Sequence, residues 1–168
     1  KVDRGNVILQ RRIDIVRNDN FITLSKRMSE SGADLLIESL DTLKDPMFEP
    51  KVQDDSEVTY APKIHKSFGR IEWKNQSKFI HLKIKAISFS PGTFTTLNKK
   101  RLKIFDSKLT SEKSQKEPGI VICMNEKILV SCSDFYLQII EVQLEGKKKM
   151  SALDWFRGRN EEFGFKFD

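Results

Sequence analysis

The sequence predicts an α+β chain, with one long amphipathic helix near its start and a small β-barrel after it. Two observations carry this. Five short apolar or alternating runs, at 94–97, 102–105, 120–124, 128–132 and 136–144, are separated by turn-forming pairs. Upstream, Leu24, Met28, Leu35, Leu36, Leu40 and Leu43 recur at close to helical spacing. The 168 residues suffice for one domain with some left over.

The elements follow in chain order. Asp3-Arg4-Gly5-Asn6 reads as a turn, and residues 6–15 read as strand, with Ile8, Gln10 and Arg12 on one face and Ile13 and Ile15 in a second short run. Asp19 is the expected N-cap of a helix over 20–43. Gly32 inside that helix costs about 1 kcal/mol relative to Ala, so the helix needs tertiary support. Residues 45–70 read as a linker, broken by Pro46, Pro50 and Pro62. Periodicity leaves 77–88 open: Ile80, Ile84 and Ile87 fit a helix face, while Ile80, Leu82, Ile84 and Ala86 fit a strand. Within the barrel segment, 106–117 is polar and expected to be a mobile loop. Residues 151–157 read as a last helix, with Ser151 as cap, Asp154 at its N3 position and Gly158 as its stop. Phe163, Phe165 and Phe167 alternate, as in a terminal strand covering a barrel.

Composition excludes several classes. With 38% hydrophobic residues and a net charge of only +6, the chain is not disordered. No run approaches the roughly 18 apolar residues of a membrane span, and no secretory leader is visible. The first residue is Lys1 rather than Met, which predicts a piece of something longer. Cys123 and Cys132 are too few for a disulfide framework or a closed zinc site. If a turn sits at Asn125-Glu126, Cys123 faces Ile128 and Cys132 faces Gly119, so the thiols do not meet; both are expected to be buried and free in a reducing compartment.

The net charge hides an asymmetry. Residues 1–46 balance eight basic against eight acidic groups. Residues 62–103 carry eleven basic groups against one acid, Glu72, so this segment is +10 and the rest of the chain −4. Such a block is the electrostatic footprint of a polyanion partner, or else a solvated basic face. Trp73, Trp155 and Phe156 are candidates either for stacking on bases or for core packing, with packing the stronger reading for the helical pair.

A series of motifs carries a resemblance. Val2-Asp3-Arg4-Gly5 comes first, then a helix ending in leucines, then Thr59-Tyr60-Ala61-Pro62-Lys63-Ile64. Gly69-Arg70-Ile71-Glu72-Trp73, Ile84-Lys85-Ala86, Pro91-Gly92-Thr93 and Gly146-Lys147-Lys148-Lys149-Met150-Ser151 follow. The ordered series resembles the methionyl-tRNA formyltransferase family, from the middle of its catalytic domain to its C-terminus, over essentially the whole chain. The chain departs from the family pattern at Lys85, where Arg is usual, at Phe89 and Ser90, where Pro and an aromatic are usual, and at Phe135, where Gly often follows the hairpin Asp.

The resemblance implies that residues 1–45 are the tail of a Rossmann-like formyltransferase domain, 46–67 a linker and 68–168 an OB-like barrel. It implies a helix over 77–87. It implies transfer of a formyl group from 10-formyltetrahydrofolate to the amino group of methionine on initiator tRNA, in a monomeric, metal-free enzyme of the cytoplasm or mitochondrial matrix with no membrane partner. Asp3 matches the family's Asp-x-Gly carboxylate, which orients the catalytic His; by itself it also suits an ordinary turn. The family's Asn, His and most folate contacts lie upstream of Lys1. Neither His65 nor His81 matches that His, and both are expected at the surface. Lys63 matches a lysine near the acceptor end of the tRNA. Lys66, Arg70, Lys85, Lys99, Lys100, Arg101 and Lys103 are candidate phosphate contacts. Lys147, Lys148 and Lys149 match a Gly-Lys-Lys turn that is either a tRNA contact or a solvated turn. These 168 residues alone are expected to lack transferase activity and to bind tRNA in a salt-sensitive way. Two other readings remain open: a formyltransferase acting on the amino sugar of a nucleotide sugar, and a non-catalytic OB-type RNA-binding module.

Overall fold

The computed structural model describes residues 3–159 and 165–167, and the chain divides into two units, Lys1–Lys63 and Ile64–Asp168. The first unit is built on one helix, α1 (Phe21–Thr42). Its cap is Asn20 rather than Asp19. The Asn20 side chain accepts from the Thr23 N–H at 3.0 Å, and the Thr23 hydroxyl oxygen accepts from the Asn20 N–H at 3.0 Å. This reciprocal box needs a cap residue three positions before a polar side chain, which Asn20 has in Thr23. Asp19 is buried instead, where it accepts from the Val16 N–H at 2.9 Å, from the Thr23 hydroxyl at 3.0 Å and from Arg27.

The strand expected over 6–15 does not form. Only Val7 pairs, exchanging backbone bonds with Lys51 at 2.8 and 2.9 Å. A strand's N–H and C=O groups need a neighbouring strand, and beyond Val7 no ladder reaches this segment among the described residues. No side chain of α1 is buried. Leu36 is 61% exposed and Ile37 64%, and Leu40 and Leu43 lie open beside them. These side chains leave α1 with an open apolar face.

The second unit wraps a curled antiparallel sheet around one helix. Its elements are α2 (Ser77–Ile87), β1 (Thr93–Leu97), β2 (Lys100–Lys113), β3 (Ile120–Met124), β4 (Lys127–Ser131), β5 (Phe135–Leu144), β6 (Met150–Ser151), α3 (Ala152–Arg157) and β7 (Phe165–Lys166). Among the described residues the strand order is β1-β2-β5-β4-β3-β7, with β6 paired to β5. Two-residue turns close β1–β2 at Asn98-Lys99 and β3–β4 at Asn125-Glu126. All four residues have positive φ, as the twist-matched hairpin turn requires.

The ambiguous segment 77–88 is helix, as the family resemblance implies. Ile80, Ile84 and Ile87 are buried, whereas Leu82 of the strand alternative is exposed. Burying each isoleucine contributes about 1.5–3 kcal/mol. Ile80 and Ile84 meet Leu102, Ile104, Val121, Ile128, Val130, Leu137 and Val142 of the sheet in one core. Trp73 and Trp155 belong to that core. Trp73 stacks on Phe167 with ring centres 5.5 Å apart, and its Nε1–H donates to Thr95 Oγ1 at 3.0 Å. Phe156 packs partly buried against Phe165 at 5.9 Å. Phe165 opens β7, which pairs with β3, and Phe167 follows it into the core; Phe163 lies outside the described residues. Ser151 caps α3, accepting from the Asp154 N–H at 3.0 Å, and Gly158 ends the helix.

Three expectations are corrected. The polar segment 106–113 is not loop, because β2 continues through it. Asp106 pairs with Glu141, Ser107 with Ile139, Leu109 with Leu137 and Lys113 with Phe135, across three register shifts. The partner strand satisfies the backbone while most of the side chains face water, so the segment reads as polar throughout. Cys123 faces Ile128 as expected but is exposed, since the hairpin end of β3 leaves the core; only Cys132 is buried. His81 is half-buried rather than on the surface, and its Nδ1 lies 2.9 Å from Ser107 Oγ; His65 is exposed as expected. Among the described residues no helix is long and apolar enough to cross a membrane.

Candidate nucleic-acid interface

Alternation along β2 sorts its side chains onto two faces. Leu102 and Ile104 point into the core, where α2 also lies, and Arg101 and Lys103 are exposed on the outer face. Register supplies their neighbours. Thr96 of β1 sits opposite Arg101, Phe94 opposite Lys103, and Gln143 of β5 opposite Lys103 on the other side. The Arg101 carbonyl accepts from the Glu145 N–H at 2.9 Å, which brings the turn after β5 against the β1–β2 hairpin. Lys147 and Lys148 lie in that turn and are exposed. Lys147 N–H donates to Leu144 O at 2.9 Å, and its own carbonyl accepts from Gln143 Nε2 at 2.8 Å. The result is a shallow groove of about 260 Å³ lined by Arg101, Lys103, Gln143, Leu144, Glu145 and Gly146.

Lys99 and Lys100 extend this patch from the tip of the β1–β2 hairpin. Two cations on it are already held by aromatic rings. The Arg101 guanidinium lies 4.0 Å from the Phe94 ring centre. The Lys149 ammonium lies 4.7 Å from the Phe105 ring centre and 2.6 Å from Glu141 Oε2.

The other nominated residues fall elsewhere. Lys66 is exposed on a 3₁₀ turn, Lys66–Gly69. Arg70 follows it, bridges to Phe94 through the backbone and lies 3.6 Å from Glu72. Lys85 is half-buried on α2, on the core side of β2. Its charge acts on His81: burial, then Lys85, hold the imidazole below its ordinary value, and Asp106 partly offsets them. Lys83, which sequence reasoning did not single out, donates to Arg70 O at 2.7 Å and covers the Phe68 ring at 4.6 Å. Burial pushes its pKa down, and Glu72 partly opposes this. Lys63 closes the first unit and is exposed. Asp3, also in the first unit, sits exposed in a turn at φ 63°, where Gln53 Nε2 donates to the Asp3 and Gly5 carbonyls at 3.1 and 2.6 Å. The structure therefore joins Lys99, Lys100, Arg101, Lys103, Lys147 and Lys148 into one patch, and puts Lys85 on the opposite side of the sheet. Phe94, Phe105 and Gln143 went unread in the sequence. A two-residue turn at Asn98-Lys99 would have placed Phe94 opposite Lys103. Among the described residues no group of His, Cys, Asp or Glu side chains is placed to hold a metal ion.

Fold and patch together define a class: an α+β domain whose curled antiparallel sheet is filled on one face by a helix and is cationic on the other. Residues 63–160 match the family model described as "Formyl transferase, C-terminal domain", and the chain belongs to that family. It is 39% identical over 160 residues to the methionyl-tRNA formyltransferase of Caldicellulosiruptor saccharolyticus, covering 94% of this chain and 51% of that protein. To the same enzyme of Staphylococcus aureus Newman it is 36% identical, with 94% and 51% covered. For the Bacillus licheniformis enzyme the identity is 31%, with 99% and 53% covered. The chain thus spans about half the length of these relatives. Among solved structures, HypX from Aquifex aeolicus in complex with tetrahydrofolic acid superposes with a TM-score of 0.71 at 18% identity, over 93% of this chain and 28% of HypX. A HypX variant gives 0.74 over 97% of this chain. At that identity the likeness is one of fold.

Proposed function

We propose that these 168 residues are the C-terminal part of a formyltransferase that moves a formyl group from 10-formyltetrahydrofolate to methionyl initiator tRNA. In this reading the linker, with Lys63 and Lys66, and the barrel that follows it bind the tRNA. The observation that carries it is that identity to enzymes of that name runs over nearly the whole chain, including the +10 segment. The sheet is read as the family's OB-like barrel, residues 68–168, preceded by a linker, 46–67. Residues 1–45 are read as the end of the Rossmann-like domain, and Asp3 as its carboxylate partner to an imidazole. The folate and the catalytic Asn and His belong to the half of the relatives that this chain does not span, so the chain by itself carries no transferase activity. The full enzyme is monomeric and acts in the cytoplasm or the mitochondrial matrix.

Basic side chains on phosphates release counterions, and each phosphate neutralised adds about −0.9 to the slope of log K against log salt. The test is a titration of initiator tRNA into the chain between about 50 and 200 mM salt. A steep decline in affinity is expected, and Lys63→Ala with Lys66→Ala should lower affinity further. Affinity that stays flat across the salt range overturns the reading. A nucleotide-sugar formyltransferase would show no dependence on Lys63 and Lys66.

A further inference from the structure

Arg101 was expected from sequence to be a phosphate contact. Its surroundings fit a different task. The guanidinium lies 4.0 Å from the Phe94 ring centre, a stacking distance, and Phe94 itself is pinned. Phe94 pairs with Lys103 in the β1–β2 ladder, and its carbonyl accepts from the Ile71 N–H at 2.8 Å. A guanidinium held over a fixed ring has less freedom to lose on binding. Such a plane is a ready platform for an unstacked base.

The groove beside it carries acceptors as well as cations. Glu145 Oε2 accepts from the Arg101 N–H at 3.3 Å and sits in the groove wall. Gln143 donates one of its two amide N–H groups to Lys147 O at 2.8 Å, and its carbonyl oxygen is an acceptor on the same side chain. A bare phosphate in this groove would face the Glu145 carboxylate. A base with an exocyclic amine would donate to Glu145 or Gln143 instead. At about 260 Å³ the groove is below the roughly 300–1,000 Å³ of sites for drug-sized ligands, a size that suits one base. Lys103, on the groove, and Lys147 and Lys148, in the adjoining turn, are placed for the flanking phosphates.

We propose that this groove holds one unpaired, amine-bearing base of an RNA strand, adenine best, stacked on the Arg101 guanidinium. The proposal rests on the tRNA-binding reading and sharpens it, by assigning Arg101 a base and the surrounding lysines the backbone.

The test uses the full chain with labelled eight-nucleotide oligoadenylate and oligouridylate, anisotropy titrations at several salt concentrations, and inorganic polyphosphate as competitor. Oligoadenylate should bind about tenfold tighter than oligouridylate, and polyphosphate should displace it poorly. Arg101→Lys keeps the charge and loses the plane. It should bring oligoadenylate down to the oligouridylate level and leave the salt slope unchanged. Phe94→Leu, which removes the support under the guanidinium, should act in the same direction, with native tryptophan fluorescence confirming the fold of both variants. Equal affinity for the two oligonucleotides, or an Arg101→Lys variant that binds oligoadenylate like the parent, overturns the base platform. If initiator tRNA binds with a steep salt slope while those results hold, the platform fails and the tRNA reading stands. If initiator tRNA does not bind at all, the tRNA reading fails and the platform with it.

Discussion

Among the described glycines, Gly69 leaves the least room for a side chain. A Cβ at this position would lie 2.0 Å from the Gly92 carbonyl oxygen and 3.1 Å from its carbon. Neither atom is a flexible side chain, so Gly69→Ala must push two main-chain segments apart by more than about 1 Å to restore ordinary contact. The segment entering the sheet is held by the 2.8 Å bond from Ile71 N–H to Phe94 O. A displacement of that size takes the bond beyond hydrogen-bond length. Overpacking costs about 1–3 kcal/mol, and a buried donor left without a partner about 1–3 kcal/mol more. The expected destabilisation is about 3 kcal/mol. Both tryptophans, Trp73 and Trp155, are buried in the second unit, so their fluorescence in a urea titration reports on that unit alone. With a slope of about 1.5 kcal/mol per molar urea, the midpoint should fall by about 2 M. Gly158→Ala is the control. Its Cβ would meet only ordinary contacts of 3.5 and 3.8 Å at a φ of −70°, so its midpoint should move little. A Gly69→Ala midpoint within about 0.3 M of the parent would refute the close-approach argument.

Two further outcomes follow from the same structure. Cys123 is exposed, while burial pushes the Cys132 thiol up to about 12 and Asp134 adds to the shift, so a thiol reagent on the native chain should modify Cys123 alone and reach Cys132 only on unfolding. Mass spectrometry with and without urea checks this, and two modified thiols in the native chain would contradict it. Asp134 Oδ1 accepts from the Ser77 N–H at 2.8 Å and from the Phe135 N–H at 2.7 Å, so it serves the first turn of α2 from a distant loop. Burial pushes its carboxyl up, but these N–H groups outweigh that and hold it below its ordinary value. A carboxylate with a depressed folded value stabilises the fold above the unfolded value near 3.8 and loses that stabilisation as pH falls through the folded one. Asp134→Ala should cost about 1–2 kcal/mol at neutral pH and flatten the acid limb of a stability-against-pH curve. An unchanged acid limb would contradict the assignment.

What the sequence could reveal follows from which forces are local. The α3 cap was legible because Ser151 and Asp154 interact within one turn. The α1 cap was off by one because Asp19 and Asn20 are both good cap residues, and the choice rests on Thr23 three positions after Asn20. Ile80 and Ile84 fit both periods, and only burial of Ile87 with Leu82 left exposed selects the helix. Residues 6–15 read as two short strand-like runs yet make one bridge, since a side-chain pattern does not supply the partner a strand needs. Residues 106–113 fail in the opposite sense: polar in pattern, they are strand because β5 lies alongside. The candidate site divides in the same way. Its charge lies in one stretch of chain and was plain. The pairing of Arg101 with Phe94 and of Lys103 with Gln143 crosses strands, so it depends on register, which composition does not carry.

Register also ties the stability of the sheet to its outer face. On β2 the residues alternate Arg101, Leu102, Lys103, Ile104, and the two apolar ones are fully buried against α2 and β5. Sliding β2 by one residue against its neighbours would carry Leu102 and Ile104 into water and bring Arg101 and Lys103 inside. Exposing two such side chains costs about 3–6 kcal/mol before the burial of two unpaired cations is counted. A folded domain of this size has about 5–15 kcal/mol in total, so the slipped register is not a populated state. The positions of the guanidinium over Phe94 and of Lys103 beside Gln143 are therefore set by Leu102 and Ile104, which touch neither the groove nor anything in it. A substitution such as Leu102→Ala, made on the core side, should loosen the groove as it loosens the sheet, whereas Arg101→Lys changes the groove and leaves the core as it was.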